Sequence, residues 1–445
     1  MSEEMKELVE EVAVAAKDEQ EQTLAEKLTG QDPAEVALVL ESLPLPDRLL
    51  AWNKIEDSAK LSILLAMRGD PRESLVDETS LEELDKLFEG IAAEDLLDLA
   101  ETLPNRLIGR ALKVMDEQQR RYYEDAQQYS SHVVGHWANR ELLALPLNAR
   151  VRDGLRLLRR QLPDYTDTIF LVDHSGRFTE AVRISELIKA AELTPLVDLT
   201  EELFPLVNAK DDAVTAAKKV QGSGYSALPM VDESGRMVGR IHIGNACEIV
   251  NEYYEGQVMA GAGLDEDEDL FSPVVKSAKS RALWLGINLM TAFLASWFIG
   301  LFEATLQQVV ALAVLMPVVA SMGGIAGSQT LTLIIRGLAL GQVTKANRAA
   351  LLKKELKVGG LNGIIWALVI GVVASIWFDM PAIGFVIALA ILANIIAAAF
   401  SGVWIPVILE KMKLDPALSG SVVLTTVTDI VGFVAFLGLG SLILV

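Results

Sequence analysis

Five apolar stretches, at about 282–302, 305–338, 352–378, 381–409 and 418–444, take up the last third of the 445-residue chain. Each can cross a hydrocarbon core of roughly 30 Å. Lipid offers the backbone no hydrogen-bond partner, so such stretches are confined to helices. The second is expected to carry an internal break, because Pro317, Gly323, Gly324 and Gly327 fall in its middle. Charge divides the chain at the same place. Residues 1–280 carry 54 acids and 30 bases, net −24, whereas 281–445 carry 6 acids and 9 bases, net +3. The nine bases lie at Arg281, in the connection from Arg336 to Lys357, and at Lys411 and Lys413. The intervening connections hold only Glu303 and Asp379. Basic loops stay in the cytoplasm, so this alternation predicts a multi-pass protein of the cell (inner) membrane with its N-terminal part inside and its C-terminus outside. The acidic start, MSEEMKELVEEVAVAAKDEQ, lacks the basic and apolar regions of a secretory signal and agrees with that direction.

An acidic soluble part argues against a nucleic-acid partner, which would demand clustered Lys and Arg; it is expected to gather cations instead. Cys247 is the only cysteine, and His132, His136, His174 and His242 make no zinc spacing with it. No P-loop, zinc motif or nucleophile elbow is present, so the chain is not expected to be an enzyme.

Residues of about 20–128 show apolar positions at three- and four-residue intervals in short segments broken at proline-containing turns, as in DPAEVALVLESLP and AAEDLLDLAETLP. They predict an all-α superhelical domain over 1–130. An internal repeat follows: Asp173-His174-Ser175-Gly176-Arg177 returns as Asp232-Glu233-Ser234-Gly235-Arg236, a period of 59 residues. Each copy reads helix, strand, Ser-Gly hairpin turn, strand, helix. It resembles a tandem pair of CBS domains, an α/β module over 131–252. That resemblance implies regulation, with an adenine nucleotide as a conceivable ligand. Residues 253–280 read as a connecting helix and an acidic linker, Asp265 to Asp269, before a transmembrane bundle of five spans over 281–445.

The chemistry-bearing residue of the bundle is Asp429, read as the only acid deep in a span. A charge at mid-membrane costs roughly 2.5–3.5 kcal/mol on insertion scales. Ser421, Thr425, Thr428, Asp429, Gly432 and Ala435 are expected on one helix face. No Lys or Arg lies deep in another span to neutralise the carboxylate, so a cation from solution is its natural partner. The interrupted second span is expected to add carbonyls, with Ser328 and Gln329 as further oxygens.

The stretches DPALSGSVVLTTVTDIVGF, GGIAGSQ and INLMTAFLASWFIGLFE, in this order of domains, resemble the MgtE family of magnesium channels. The resemblance implies a homodimer in the lipid bilayer with one central pore, carrying Mg2+ inward and closed by its cytoplasmic domains when internal magnesium is high. Carried over by position, Asp429 is the selectivity carboxylate, the Thr425 carbonyl helps hold the hydrated ion, and Ser421 lies nearer the cytoplasmic mouth. Glu94, Asp98 and Glu248 are acids at positions matching the family's regulatory metal sites. The chain departs from the pattern at Ile325 and Ser328, where the family has Asn, and at Gly244-Asn245, where it has an acidic pair. Those departures predict weaker or differently tuned inhibition and remove an acid that would hold a nucleotide ribose. Other divalent cations (cobalt, nickel, manganese) and a membrane-anchored CBS sensor without transport are the alternative readings.

Overall fold

The structure, a computed structural model, describes residues 3–18, 20–100, 102–160, 162–200, 203–264 and 268–445. Asp265, Glu266 and Asp267 of the acidic run lie outside the described residues. The chain divides into two compact units, Met1–Gly256 with Asp267–Pro273, and Gln257–Glu266 with Val274–Val445.

The first unit opens with short helices from Glu3–Lys17 to Glu117–Ala126. Side chains that prefer caps set several starts: Asp32 accepts from the Ala34 amide at 2.9 Å with Pro33 in the first turn, and Asp116 accepts from the Gln119 amide at 2.8 Å. Their apolar faces share one core that includes Leu40, Leu43, Trp52, Leu64, Leu75 and Leu96. A charge also lies inside. Arg48 is 1% exposed; its Nε donates to the Leu40 carbonyl at 2.9 Å, and its Nη2 pairs with the Asp269 carboxylate at 2.7 Å. Ser272 donates to Asp70 at 2.7 Å. The end of the linker is therefore part of this helical domain rather than a solvated tether.

The repeat folds as two three-stranded sheets. β1 (Ala144–Pro146) pairs parallel with β2 (Thr168–Val172), which pairs antiparallel with β3 (Phe178–Arg183). β4 (Val207–Asn208), β5 (Ala227–Val231) and β6 (Met237–His242) repeat that order. The short leading strands β1 and β4 were not legible in the sequence, since two or three residues cannot show an alternation. The two turns match in detail. Asp173 Oδ1 accepts from the Ser175 and Arg177 amides at 2.8 and 2.9 Å, as Asp232 Oδ1 does from Ser234 and Arg236 at 2.8 and 2.9 Å. Gly176 and Gly235 supply the positive φ, 77° and 80°. The turns also bond one another, Phe178 N to Gly235 O and Met237 N to Gly176 O, at 3.1 and 3.0 Å. This is the two-sheet arrangement expected of a tandem CBS pair.

In the second unit five helices have the length and apolarity to cross a membrane: Val274–Gly300, Val310–Ala339, Arg348–Phe378, Pro381–Lys411 and Pro416–Ile443. The third and fourth meet through small residues. Gly359, Gly363, Ala367, Gly371 and Ala374 are buried along one line, and a Cβ at Gly359 would lie 2.9 Å from that of Ala399. The first span buries only Ala295. The expected break in the second span does not occur at Pro317 or the glycines: the helix runs unbroken through Val310–Ala339, and the interruption falls at Val309, after the short helix Glu303–Gln308. Proline leaves just one helix carbonyl without its donor. Two of the glycines serve as contact points, for a Cβ at Gly323 would meet Asn394 at 2.2 Å and one at Gly327 would meet Leu424 at 3.0 Å, while Gly324 faces open space.

Candidate functional site

Asp415 starts the fifth span, its Oδ1 accepting from the Ala417 amide at 2.7 Å with Pro416 in the first turn. From there the helix runs unbroken past Ser421, Thr425 and Asp429, which recur every fourth residue over about 12 Å of helix length. All three keep solvent-accessible surface, whereas Thr428 and Gly432 are buried against the bundle. The single stripe expected from the sequence is thus split. Asp429 stands on an open line with Ser421 and Thr425, while Thr428 and Gly432 hold the packing side.

The threonines are bonded within their own helix. Thr425 Oγ1 donates to the Ser421 carbonyl at 3.0 Å, Thr426 to Val422 at 2.7 Å, and Thr428 to the Thr425 carbonyl at 3.1 Å. Inside the unbroken helix the Thr425 carbonyl already accepts the amide four residues on as well as the Thr428 hydroxyl, so both of its lone pairs are engaged. Among the described residues, no side chain hydrogen-bonds or ion-pairs with the Asp429 carboxylate. The second span offers fewer oxygens than expected. Its helix is continuous, Ser328 Oγ donates to the Ile325 carbonyl at 2.9 Å, and Ile325 itself is 55% exposed.

Two polar residues escaped the sequence reading. Asn394, on the fourth span, is fully buried and donates to the Val319 carbonyl at 2.9 Å. Glu355, in the third span helix, is buried and accepts from Thr330 at 3.3 Å and Lys354 at 2.6 Å. Asp429 is therefore not the only acid set into a span helix, but Glu355 has partners and Asp429 does not. The run Lys353-Lys354-Glu355-Leu356-Lys357 concealed Glu355 by making it look like part of a basic loop.

In the first unit, Glu94, Asp95, Asp98 and Glu248 share one electrostatic neighbourhood with Arg72 and Arg140. Asp98 and Glu248 are both exposed at their tips, yet protein mass surrounds the carboxylates on the other sides. Desolvation, then repulsion from Glu248 and Asp95, pushes the Asp98 carboxyl up to about 7 against the pull of Arg72. Desolvation also raises Glu94 and Glu248. Among the described residues no three His, Cys, Asp or Glu side chains converge as a ready-made metal site. What the cluster offers is a crowd of carboxylates that a divalent cation would relieve.

At the CBS pair, Tyr165 stacks on His242 with ring centroids 4.9 Å apart. Arg240, 2% exposed, donates to the Tyr165 and Asp164 carbonyls at 3.1 and 2.8 Å. Burial holds His242 down at about 4, so its ring is neutral at physiological pH, and Nδ1 accepts from the Asn245 amide at 3.2 Å. Gly244 lies under this stack: a Cβ there would come within 3.0 Å of His242 and 3.1 Å of Tyr165. Glycine at this position thus follows from the ring pair as well as subtracting an acid.

Five membrane-length helices, a domain of short helices and a repeated pair of small sheets in one chain define the class: a multidomain, polytopic membrane protein. Family models match at two places: the divalent cation transporter MgtE over residues 316–439, and the MgtE intracellular N domain over residues 31–132. The chain belongs to the MgtE family. The magnesium transporter MgtE of Thermus thermophilus is 25% identical over 442 residues, covering 95% of this chain and 98% of that protein. Its Bacillus subtilis counterpart is 25% identical over 354 residues, covering 78% of each chain. Among solved structures, the cystathionine beta-synthase pair domain of a putative Mg2+ transporter from Shewanella oneidensis is 31% identical. It covers 38% of this chain and 98% of that one with a TM-score of 0.33.

Proposed function

We propose that this protein carries magnesium across the membrane through a pore lined by the fifth span, with Asp429 as the carboxylate that selects the ion. The observation that carries this reading is an unpartnered carboxylate midway along the fifth span, in line with Ser421 and Thr425 on the open side of the helix. Magnesium gives up its water reluctantly and is bound by one or two carboxylates through a retained water shell. A homodimer with the pore on its two-fold axis would bring two Asp429 side chains to one +2 ion. Ala295 is the one residue of the first span buried within a single chain, which leaves that helix free to meet lipid or a second copy. The hydroxyl of Ser421 would then receive the hydrated ion on its way, and the Thr425 carbonyl would join it once the Thr428 hydroxyl turns away. The soluble part faces the cytoplasm and the C-terminus the outside, as the basic loops require.

The domains over 1–130 and 131–252 regulate this pore through the segment 253–280, in response to internal Mg2+ at Glu94, Asp98 and Glu248. A contact in the membrane unit supports that route: Gln257, near the end of the helix Ile243–Gly261, donates to Asp415 at 3.3 Å, the residue that caps the pore helix. An adenine nucleotide at the CBS pair would have to fit beside the Tyr165–His242 stack.

The test is magnesium uptake into liposomes containing the purified protein. Asp429→Ala and Asp429→Asn should abolish uptake while the protein keeps its size-exclusion profile. Full uptake in both would refute the pore assignment. Competition by cobalt, nickel and manganese separates magnesium from another divalent ion as the cargo.

A further inference from the structure

Asn394 is an expensive choice for its place. It is fully buried at mid-span in the fourth helix, its Nδ2 donates to the Val319 carbonyl at 2.9 Å, and its Oδ1 is buried without a partner. An unsatisfied buried acceptor costs about 1–3 kcal/mol. The Val319 carbonyl lies within an unbroken helix, so it does not require the extra donor. A leucine has the same branched shape, with bulkier ends, and strands no oxygen.

What Asn394 touches explains its value. A Cβ at Gly323 of the second span would lie 2.2 Å from Nδ2, and a Cβ at Gly432 of the fifth span 2.5 Å from it. The amide is therefore held in a notch between two glycines on two different helices. Gly432 stands three residues beyond Asp429, about 4.5 Å further along the same rigid helix. Any change in how Gly432 seats on the amide turns or shifts Asp429. A buried interhelical amide of this kind selects one register among several similar packings.

We infer that Asn394 is a positioning residue for ion selection: it locks the second and fifth spans in the one register that places Asp429 at the pore. The inference rests on the reading of Asp429 given above. It assigns selectivity to a side chain that itself never meets the ion.

The experiment measures Mg2+ and Co2+ uptake separately in proteoliposomes for Asn394→Leu, Asn394→Ala, Gly432→Ala and the double variant Asn394→Ala/Gly432→Ala. Asn394→Leu keeps the branched shape and loses the bond, and its size-exclusion profile beside that of the smaller Asn394→Ala checks that each variant folds. The Mg2+ uptake of Asn394→Leu should fall, by as much as about a hundredfold if Asp429 moves by an ångström, and its Mg2+ to Co2+ ratio should change. Gly432→Ala should be worse than Asn394→Ala, and the double variant should recover, because removing the amide makes room for the new methyl. A general packing defect would lower both ions together and leave the ratio as it was. Wild-type uptake and ratio in Asn394→Leu would overturn the inference, as would a double variant no better than Gly432→Ala. Asp429→Ala run alongside keeps the two ideas apart. If it conducts normally, the pore reading has failed; if it is silent while every Asn394 variant keeps the wild-type ratio, only the positioning role has failed.

Discussion

Arg48 shows what a single residue can commit a chain to. A guanidinium 1% exposed is tolerable only when its donors are met, and here the carbonyl of Leu40 and the carboxylate of Asp269 meet them. Asp269 is itself 8% exposed, so water screens the pair little. Removing one partner strands the other charge. Asp269→Ala should therefore destabilise the helical domain by about 3–5 kcal/mol, whereas the double variant Arg48→Met/Asp269→Leu should return most of that loss. Urea unfolding followed by tryptophan fluorescence checks both, since Trp52 belongs to the same core. Equal damage in the single and double variants would mean that the pair is not what holds the linker.

The helices around Glu94 and Asp98 carry carboxylates that make this element sensitive to pH, and the proposed regulation makes it a place where magnesium should act. The Asp98 carboxyl titrates at about 7 in the folded chain against an ordinary 3.8, so between those values the folded protein holds a proton that the unfolded chain has released. Stability contributed here is present below the ordinary value, falls as pH rises through that window, and is gone above about 7. Glu94 and Glu248 shift in the same direction. Magnesium competes with that proton and should be the stabiliser at high pH. Its effect on the melting temperature should be large at pH 8 and small at pH 5, and Asp98→Asn should flatten the difference. An equal magnesium response at both pH values would remove this cluster from the regulatory account. The second span teaches the converse lesson about elements. Pro317 and three glycines look like a break in one dimension, yet the helix is continuous because each buried glycine receives a neighbour's side chain.

For the whole molecule, charge distribution and helix order together specify orientation. Met380 lies in the connection between the third and fourth spans, exposed and in extended backbone, while Lys353 lies near the start of the third span, also exposed. Asp379 is a poorer site for a label because its φ of 50° is left-handed. After Cys247→Ser, a cysteine at Met380 should react with an impermeant thiol reagent added outside, and one at Lys353 should react only after the membrane is opened. The opposite pattern would invert the topology and place the soluble part outside.

The amino-acid sequence by itself determined the five spans, the charge division, the repeat with its Asp-x-Ser-Gly-Arg turns, and the place of Asp429 midway along the fifth span. These are local properties: apolar length, period and loop charge are written into neighbouring residues. The tertiary structure decided which side of the fifth span packs, that Glu355 is paired, that Gly244 lies beneath a ring stack, and that Arg48 takes an acid from the far end of the linker. It alone brought Asn394 to Val319, 75 residues away, and Arg48 to Asp269, 221 residues away. Such pairings depend on how helices cross and how closely small residues let them approach. A one-dimensional pattern shows which residues avoid water, but not which neighbour each will meet.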